Sequence, residues 1–325
     1  MAKVISNSNS YAIGIDIGGT NTVFGVVDAR GNISYRGAIS TKKYETIEKY
    51  IDELYTAIQP LIEDAGGKEY IKGIGIGAPN GNYYSGTIEY APNLIWKGII
   101  PLCSMITKKF GLPSALTNDA NAAAVGEMMY GAAKGMKDFI MITLGTGVGS
   151  GIVANGQLIL GHDGFAGELG HTIIIPNGRL HPGTGAHGSL EIYCSATGVH
   201  LSALEILEKH PKEKSLMRDY TSENLDSKAV YDCAMKGDKL AKEVYNFTGE
   251  ILGKALANFV MFSSPAAIIL FGGLCKAGDL ILKPTKEAME ANVLPIFRNK
   301  VNLIFSELKE SDAAILGASA LVWDL

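Results

Sequence analysis

The chain has 325 residues, four cysteines and a formal charge of −4. Its length allows two domains of ordinary size, and its 47% hydrophobic and 19% charged residues describe a packed globule, not a disordered chain. The acidic balance excludes nucleic-acid binding driven by overall charge, and no apolar run is long enough to span a membrane.

Scattered cysteines at 103, 194, 233 and 275, with no CxxC pair, argue against a disulfide framework. The first ten residues lack the apolar stretch of a signal peptide, so the expectation is a cytoplasmic protein with reduced thiols. An anionic ligand would then have to be held by local dipoles, a metal ion and a few cations.

In chain order, apolar runs at 11–17, 22–28 and 33–39 predict three strands joined by tight turns. Ile47, Ile51, Leu54, Ile58 and Leu61 then recur at helical spacing. A glycine-rich strand at 71–77 ends in the turn Ala78, Pro79, Asn80, Gly81. Three strands followed by alternation of helix and strand predict a mixed sheet.

A second pattern starts at Thr117, Asn118, Asp119, where Asn118 or Asp119 can cap an alanine-rich helix running to Tyr130. Strands at 138–144 and 150–154 repeat the opening order of strand, glycine turn and strand, a weak internal duplication in layout. From Ser189 the chain is largely helical, with a long helix at 239–262. A strand at 267–271 ends in Gly272 and Gly273, and a strand at 301–306 leads to a last helix at 312–323. The polar segment 208–228 predicts an exposed helix or loop without chemistry.

Two glycine turns stand out, DIGGT at 16–20 and LGTGVG at 144–149. Glycine lets backbone N–H groups approach phosphate oxygens, and a threonine hydroxyl adds a donor. Together they suggest two half-domains facing one phosphate chain across a cleft. Asp16 reads either as a Mg²⁺ ligand beside phosphate or as a turn aspartate bonded to nearby N–H groups. Asp119 reads either as a carboxylate that accepts a hydroxyl proton or as a helix cap. Glu168, His171, Glu191 and Asn93 offer the donors and acceptors that suit vicinal sugar hydroxyls, and equally suit ordinary surface roles.

These motifs, taken in order with APNLIW (91–96), NDANAAAVGE (118–127), GELGH (167–171), LEIYCSATG (190–198) and LFGG (270–273), resemble the ROK family of sugar kinases and repressors. The resemblance runs from Asp16 to about Leu316. It implies an α/β fold of the two-domain, actin-like ATPase (ribonuclease H-like) type, with mixed sheets flanked by helices and a cleft between domains. The expected boundaries are 1–117 plus 311–325 for the smaller domain and 118–310 for the larger.

By the same resemblance, Asp16, Gly18, Gly19, Thr20 and Asn21 belong to one phosphate loop and Gly145, Thr146 and Gly147 to the other, with Gly272 and Gly273 near the adenosine. Asp119 is implied as catalytic base, Asn93, Asn118, Glu168, His171 and Glu191 as sugar residues, and Asp16 as the Mg²⁺ residue, directly or through water. The implied reaction is phosphorylation of a hexose, glucose first, at a primary hydroxyl by ATP. N-acetylhexosamine or fructose kinases are the alternatives, and a homodimer or homotetramer is expected.

One departure bears on a metal. Family members carry a Cys-Gly-Cys-Gly-x-x-Gly-Cys run that binds zinc together with the histidine of GELGH. Here the aligned residues are Pro182, Gly183, Thr184, Gly185, Ala186, His187, Gly188 and Ser189, so all three cysteines are lost. No structural zinc is therefore expected, although His181 and His187 lie close by. The loop is expected to close by hydrogen bonds and glycine turns, leaving His171 to the sugar. A repressor of the family would carry an extra N-terminal DNA-binding domain; with 15 residues before Asp16 and a low pI, that role is not expected, nor is a nucleic-acid or membrane partner.

Overall fold

In the computed structural model, which describes residues 10–323, the two glycine turns are hairpin loops at matching places in two five-stranded sheets. Two compact units hold these sheets. The first takes the described residues up to Met136, Leu158–Ala166 and those from Glu307 onward. The second takes Lys137–Gln157 and Gly167–Ser306.

In the first unit, strands β1 (Tyr11–Ile17), β2 (Asn21–Asp28) and β3 (Ile33–Ser40) form an antiparallel meander. Helix α1 (Ile47–Asp64) follows, then β4 (Ile71–Gly77), which pairs in parallel with β1. A small antiparallel sheet of β5 (Gly81–Asn82), β6 (Thr87–Glu89) and β7 (Ile99–Ile100) precedes helix α2 (Leu102–Phe110). Strand β8 (Ser114–Thr117) then joins β4 in parallel and leads into α3 (Asp119–Tyr130). The order is β3-β2-β1-β4-β8, the mixed sheet that the sequence predicts.

Burial explains these assignments. β1 and β4 are apolar and buried on both faces, as interior strands must be, whereas β3 alternates between half-buried and exposed and forms the edge. α1 buries Tyr50, Ile51, Leu54, Ile58 and Ile62 against the sheet; Ile47 and Leu61, part of the predicted stripe, are only half-buried at its margin. Helix Glu310–Ala320 packs on α3 and on β1.

The second unit repeats the plan. Strands β9 (Phe139–Leu144), β10 (Val148–Ala154) and β11 (Gln157–Leu158) are followed by helices α4 (Glu191–Cys194), α5 (Ala196–Lys209), α6 (Ser227–Met235) and α7 (Lys239–Ser263). Strand β12 (Ala267–Phe271), helix α8 (Asp279–Asn292) and strand β13 (Asn302–Phe305) complete it. The order β11-β10-β9-β12-β13 has the same sense as the first sheet: an antiparallel hairpin, then two parallel strands.

Ser195, Asp226 and Asp238 cap α5, α6 and α7 with side-chain oxygens. The polar segment before α6 is mostly exposed but is pinned by Met217, which is fully buried. None of the four cysteines is in a disulfide; Cys194 and Cys233 are buried, Cys103 and Cys275 half-buried. No helix of the described residues is long and apolar enough to cross a membrane.

Candidate active site

In the first unit, the parallel strands β1, β4 and β8 end side by side, with Asp16 opposite Gly77 and Gly77 opposite Thr117. The carboxyl ends of parallel strands are where open α/β sheets place ligands. After Thr117 the chain turns into α3, whose cap is Asn118: its Oδ1 accepts the Asn121 N–H at 2.7 Å. Asp119 occupies the first turn and is exposed, with Oδ1 accepting the Ala120 N–H at 2.9 Å.

Gly77 separates the two acids. A Cβ placed on it would lie 3.4 Å from Asp16 Oδ1 and 3.8 Å from Asp119 Cα. Asp16 is half-buried, and no hydrogen bond to its carboxylate is found among the described residues. Burial first, and the Asp119 charge second, push its carboxyl up from an ordinary 3.8 to about 7.

An acid without donors beside a second acid is a poor structural device but a good cation site. Among the described residues no cluster of three or more His, Cys, Asp or Glu side chains is gathered for a metal. Mg²⁺ does not require one, because it is held by one or two carboxylates with phosphates and water completing the shell. Asp16 with Asp119 beside it fits that ion.

The DIGGT turn is buttressed from beneath. The Gly18 N–H donates to Asn21 O at 3.0 Å, and the Thr41 N–H donates to Thr20 O at 2.8 Å. Buried Thr22 Oγ1 lies 2.9 Å from Thr41 Oγ1 and 2.8 Å from the Tyr50 hydroxyl. The Tyr50 ring meets Trp96 at 4.5 Å between centroids, and Trp96 Nε1 donates to Tyr44 O at 3.0 Å. Leu94 and Trp96 are thus the anchors of the APNLIW motif, while Asn93 between them and the turn stays exposed. A Cβ on Gly19 would lie 2.8 Å from Asn93 O, so glycine there lets Asn93 sit against the turn. Thr20 and Asn21 are exposed.

In the second unit, Gly145, Thr146 and Gly147 form the loop between β9 and β10, with Gly145 N–H donating to Gly147 O at 3.0 Å. β12 runs parallel to β9 with Phe271 opposite Thr143, which brings Gly272 and Gly273 beside this loop. Glycine at 147 lets the Glu191 carboxylate sit against the loop: a Cβ would fall 2.4 Å from Glu191 Oε2 and displace that side chain. Gly145 and Gly273 carry no such demand, since a Cβ on either would meet nothing within 4 Å and neither has positive φ. Both leave open space beside backbone, as a nucleotide cradle requires.

Glu168 and His171, in the turn after residue 166, are exposed and 3.9 Å apart between Oε2 and Nε2. Ser150 Oγ on β10 fixes this turn, accepting the Leu169 N–H at 3.1 Å and donating to Gly167 O. The His171 ring lies 5.9 Å from that of His181, and His181 Nε2 lies 2.6 Å from Glu191 Oε1. Glu168, His171, His181 and Glu191 therefore form one polar cluster. The predicted residues are brought together as two groups, Asp16, Gly18, Gly19, Thr20, Asn21, Asn93, Asn118 and Asp119 in the first unit and the remainder in the second.

Sequence reasoning missed Arg179. It stacks on Tyr193 at 4.5 Å, forks onto Glu205 at 2.7 and 2.8 Å, and donates to Ile192 O, Gly198 O and Ser202 Oγ. These bonds hold Glu205 below the usual carboxylate range. They tie the cysteine-free loop to α4 and α5, and within the loop Gly188 N–H donates to Arg179 O and His181 N–H to Ala186 O, both at 2.8 Å. An arginine preceding a glycine-rich loop carries no sequence signal of its own; its partners lie 13–26 residues further on.

The family model described as ROK family matches residues 12–324. A glucokinase of Halalkalibacterium halodurans is 36% identical over 318 residues, covering 97% of this chain and 96% of the relative. The xylose repressor of Bacillus subtilis is 29% identical, covering 99% of this chain and 79% of the relative. Among solved structures, a ROK family glucokinase from Streptomyces griseus, in complex with glucose and AMPPNP, has a TM-score of 0.78 and 31% identity, with 96% of this chain and 99% of that chain covered.

Proposed function

Because this chain belongs to the ROK family, we propose that it is an ATP-dependent sugar kinase that phosphorylates a hexose, glucose first, at a primary hydroxyl. The observation that carries the reading is the pair of acids around Gly77, one half-buried at the end of β1 and one exposed in the first turn of α3. A binding protein or regulator has no chemical need for a desolvated carboxylate next to a second one. A phosphotransferase has, since it must neutralise phosphate charge and also accept a proton.

In this mechanism Asp119 is the general base. Its Oδ1 takes the Ala120 N–H, and Oδ2 accepts the proton of the sugar hydroxyl as that oxygen bonds to the γ-phosphorus of ATP and the bond from that phosphorus to the β,γ-bridging oxygen breaks, with ADP as the leaving group. Asn118 uses Oδ1 to cap α3 and has its amide N–H groups left for a sugar hydroxyl. Asn93, Glu168, His171 and Glu191 bind the remaining hydroxyls. Asp16 would hold Mg²⁺, directly or through water, and the bound ion supplies charge neutralisation to the phosphates. Backbone N–H groups of Gly19 and Thr20 and of Thr146 and Gly147, which the turns' own hydrogen bonds leave over, cradle the phosphate oxygens, and Gly272 and Gly273 leave room for the adenosine. Phosphoryl transfer depends mostly on positioning and charge stabilisation, which are the roles this reading gives these residues.

Support for glucose comes from the relatives' identity and from the glucose complex of the Streptomyces griseus enzyme. The test is ADP release with Mg²⁺ and ATP over a panel of hexoses, N-acetylhexosamines and xylose. Turnover fastest with glucose is expected. Faster turnover of an N-acetylhexosamine or fructose would change the substrate, and binding of a sugar without turnover of any would favour the regulator reading.

A further inference from the structure

Glu191 is held by both of its carboxylate oxygens. Oε2 accepts the Val148 N–H at 2.7 Å, and Oε1 lies 2.6 Å from His181 Nε2, with both side chains less than one-fifth exposed, at 15% and 19%. The other ring nitrogen of His181 fixes the direction of that second bond. Thr184 N–H, shared with His181 O at 3.3 Å, donates to Nδ1 at 3.2 Å. An amide N–H only donates, so Nδ1 must accept, and the ring proton of the neutral imidazole lies on Nε2. His181 therefore donates to Glu191.

The histidine backbone is equally fixed. Its N–H donates to Ala186 O, and its carbonyl accepts the Gly185 N–H, each at 2.8 Å. Two bonds on one carboxylate leave it two lone pairs, enough for a bidentate contact with two adjacent hydroxyls. A carboxylate free to rotate would have to be ordered at each binding event, at a cost in affinity.

We propose that His181 is a positioning residue, which donates from Nε2 to Glu191 Oε1 and orients that carboxylate toward the sugar hydroxyls. The inference rests on the sugar-kinase reading. It gives the cysteine-free loop a purpose beyond closure: Thr184 sets the tautomer, the tautomer sets the donor, and the donor sets the carboxylate.

The experiment compares wild type with His181→Ala and His181→Gln in KM for sugar, KM for ATP, kcat and thermal midpoint. Glutamine places an amide donor near the position of Nε2. His181→Ala is expected to raise the sugar KM about tenfold, with ATP KM and kcat changed less than about threefold, and His181→Gln to recover most of the loss. In a Glu191→Gln background, His181→Ala should add less than about twofold.

An unchanged sugar KM in His181→Ala, or an undiminished tenfold effect without the Glu191 carboxylate, would overturn the proposal. So would equal losses in ATP KM and thermal stability that glutamine fails to recover. Should the alanine variant not fold, long-range ¹H–¹⁵N spectra of the wild-type imidazoles decide: an Nε2–H tautomer for His181 that shifts in Glu191→Gln supports the bond, and an Nδ1–H tautomer overturns it. Absence of turnover on every sugar would overturn the kinase reading and this assignment with it, whereas a wrong tautomer with intact turnover overturns this inference alone.

Discussion

Replacing Asp16 with asparagine should stabilise the protein at high pH while destroying its turnover. In the folded chain the Asp16 carboxyl is raised by burial and by Asp119 from 3.8 to about 7. Below pH 3.8 it is protonated in both folded and unfolded states and contributes no difference. As pH rises toward 7, the unfolded chain releases its proton and the folded chain retains it, so stability falls, and above pH 7 the loss is complete. A shift of roughly three units corresponds to about 4 kcal/mol at most, and partial exposure with relaxation reduces this to about 1–3 kcal/mol.

Asparagine carries no charge and removes the penalty. Asp16→Asn should therefore raise the thermal midpoint at pH 8 by about 2–6 °C, and by less than half as much at pH 5. Turnover in Mg²⁺ and ATP should fall at least about 100-fold. Scanning calorimetry at the two pH values, with ADP release alongside, makes the test. A variant no more stable than wild type at pH 8, or one equally stabilised at both pH values, would refute the argument that ionisation of Asp16 is strained.

Other consequences can be checked with single substitutions. Gly145→Ala and Gly273→Ala should leave the thermal midpoint within about 1 °C of wild type yet raise the KM for ATP by about tenfold or more, because the added methyl meets no protein atom within 4 Å and would enter the space proposed for the nucleotide; unchanged ATP kinetics would remove these glycines from the nucleotide site. Arg179→Met keeps the stem but removes the fork onto half-exposed Glu205 and the bonds to two carbonyls, and denaturant unfolding should show a loss of about 1–3 kcal/mol. Ser189 is buried with its hydroxyl unpartnered among the described residues. Ser189→Ala should cost nothing and gain up to about 1 kcal/mol; a clear loss would mean that the hydroxyl has a partner.

Elements whose residues repeat at a local period were legible in the sequence. The hairpins of β1 with β2 and β9 with β10, helix α3 and the strand at 267–271 emerge within one or two residues of their observed bounds. The duplicated layout was legible too, and the matching strand orders give it physical form. Strands β5, β6 and β7 were not read, because two or three residues are too short to show a period. They are defined instead by partners such as Asn82, whose side chain donates to Asp163 O from 81 residues away.

The site shows the same division. Asp16 and Asp119 each had a local signature, a glycine turn and a helix start. Their adjacency depends on β4 lying between β1 and β8, a fact of sheet order that no local pattern encodes. His181 was visible only as a histidine near a cysteine-free loop, and its bond to Glu191 spans ten residues of irregular chain.

The proposed kinase activity turns on Asp119 as acceptor of the hydroxyl proton during phosphoryl transfer. Its most direct test is Asp119→Asn, with kcat for the sugar measured beside sugar affinity by calorimetry. In that variant kcat should fall about 1,000-fold or more, with sugar affinity within about threefold of wild type. A kcat within tenfold of wild type would contradict it.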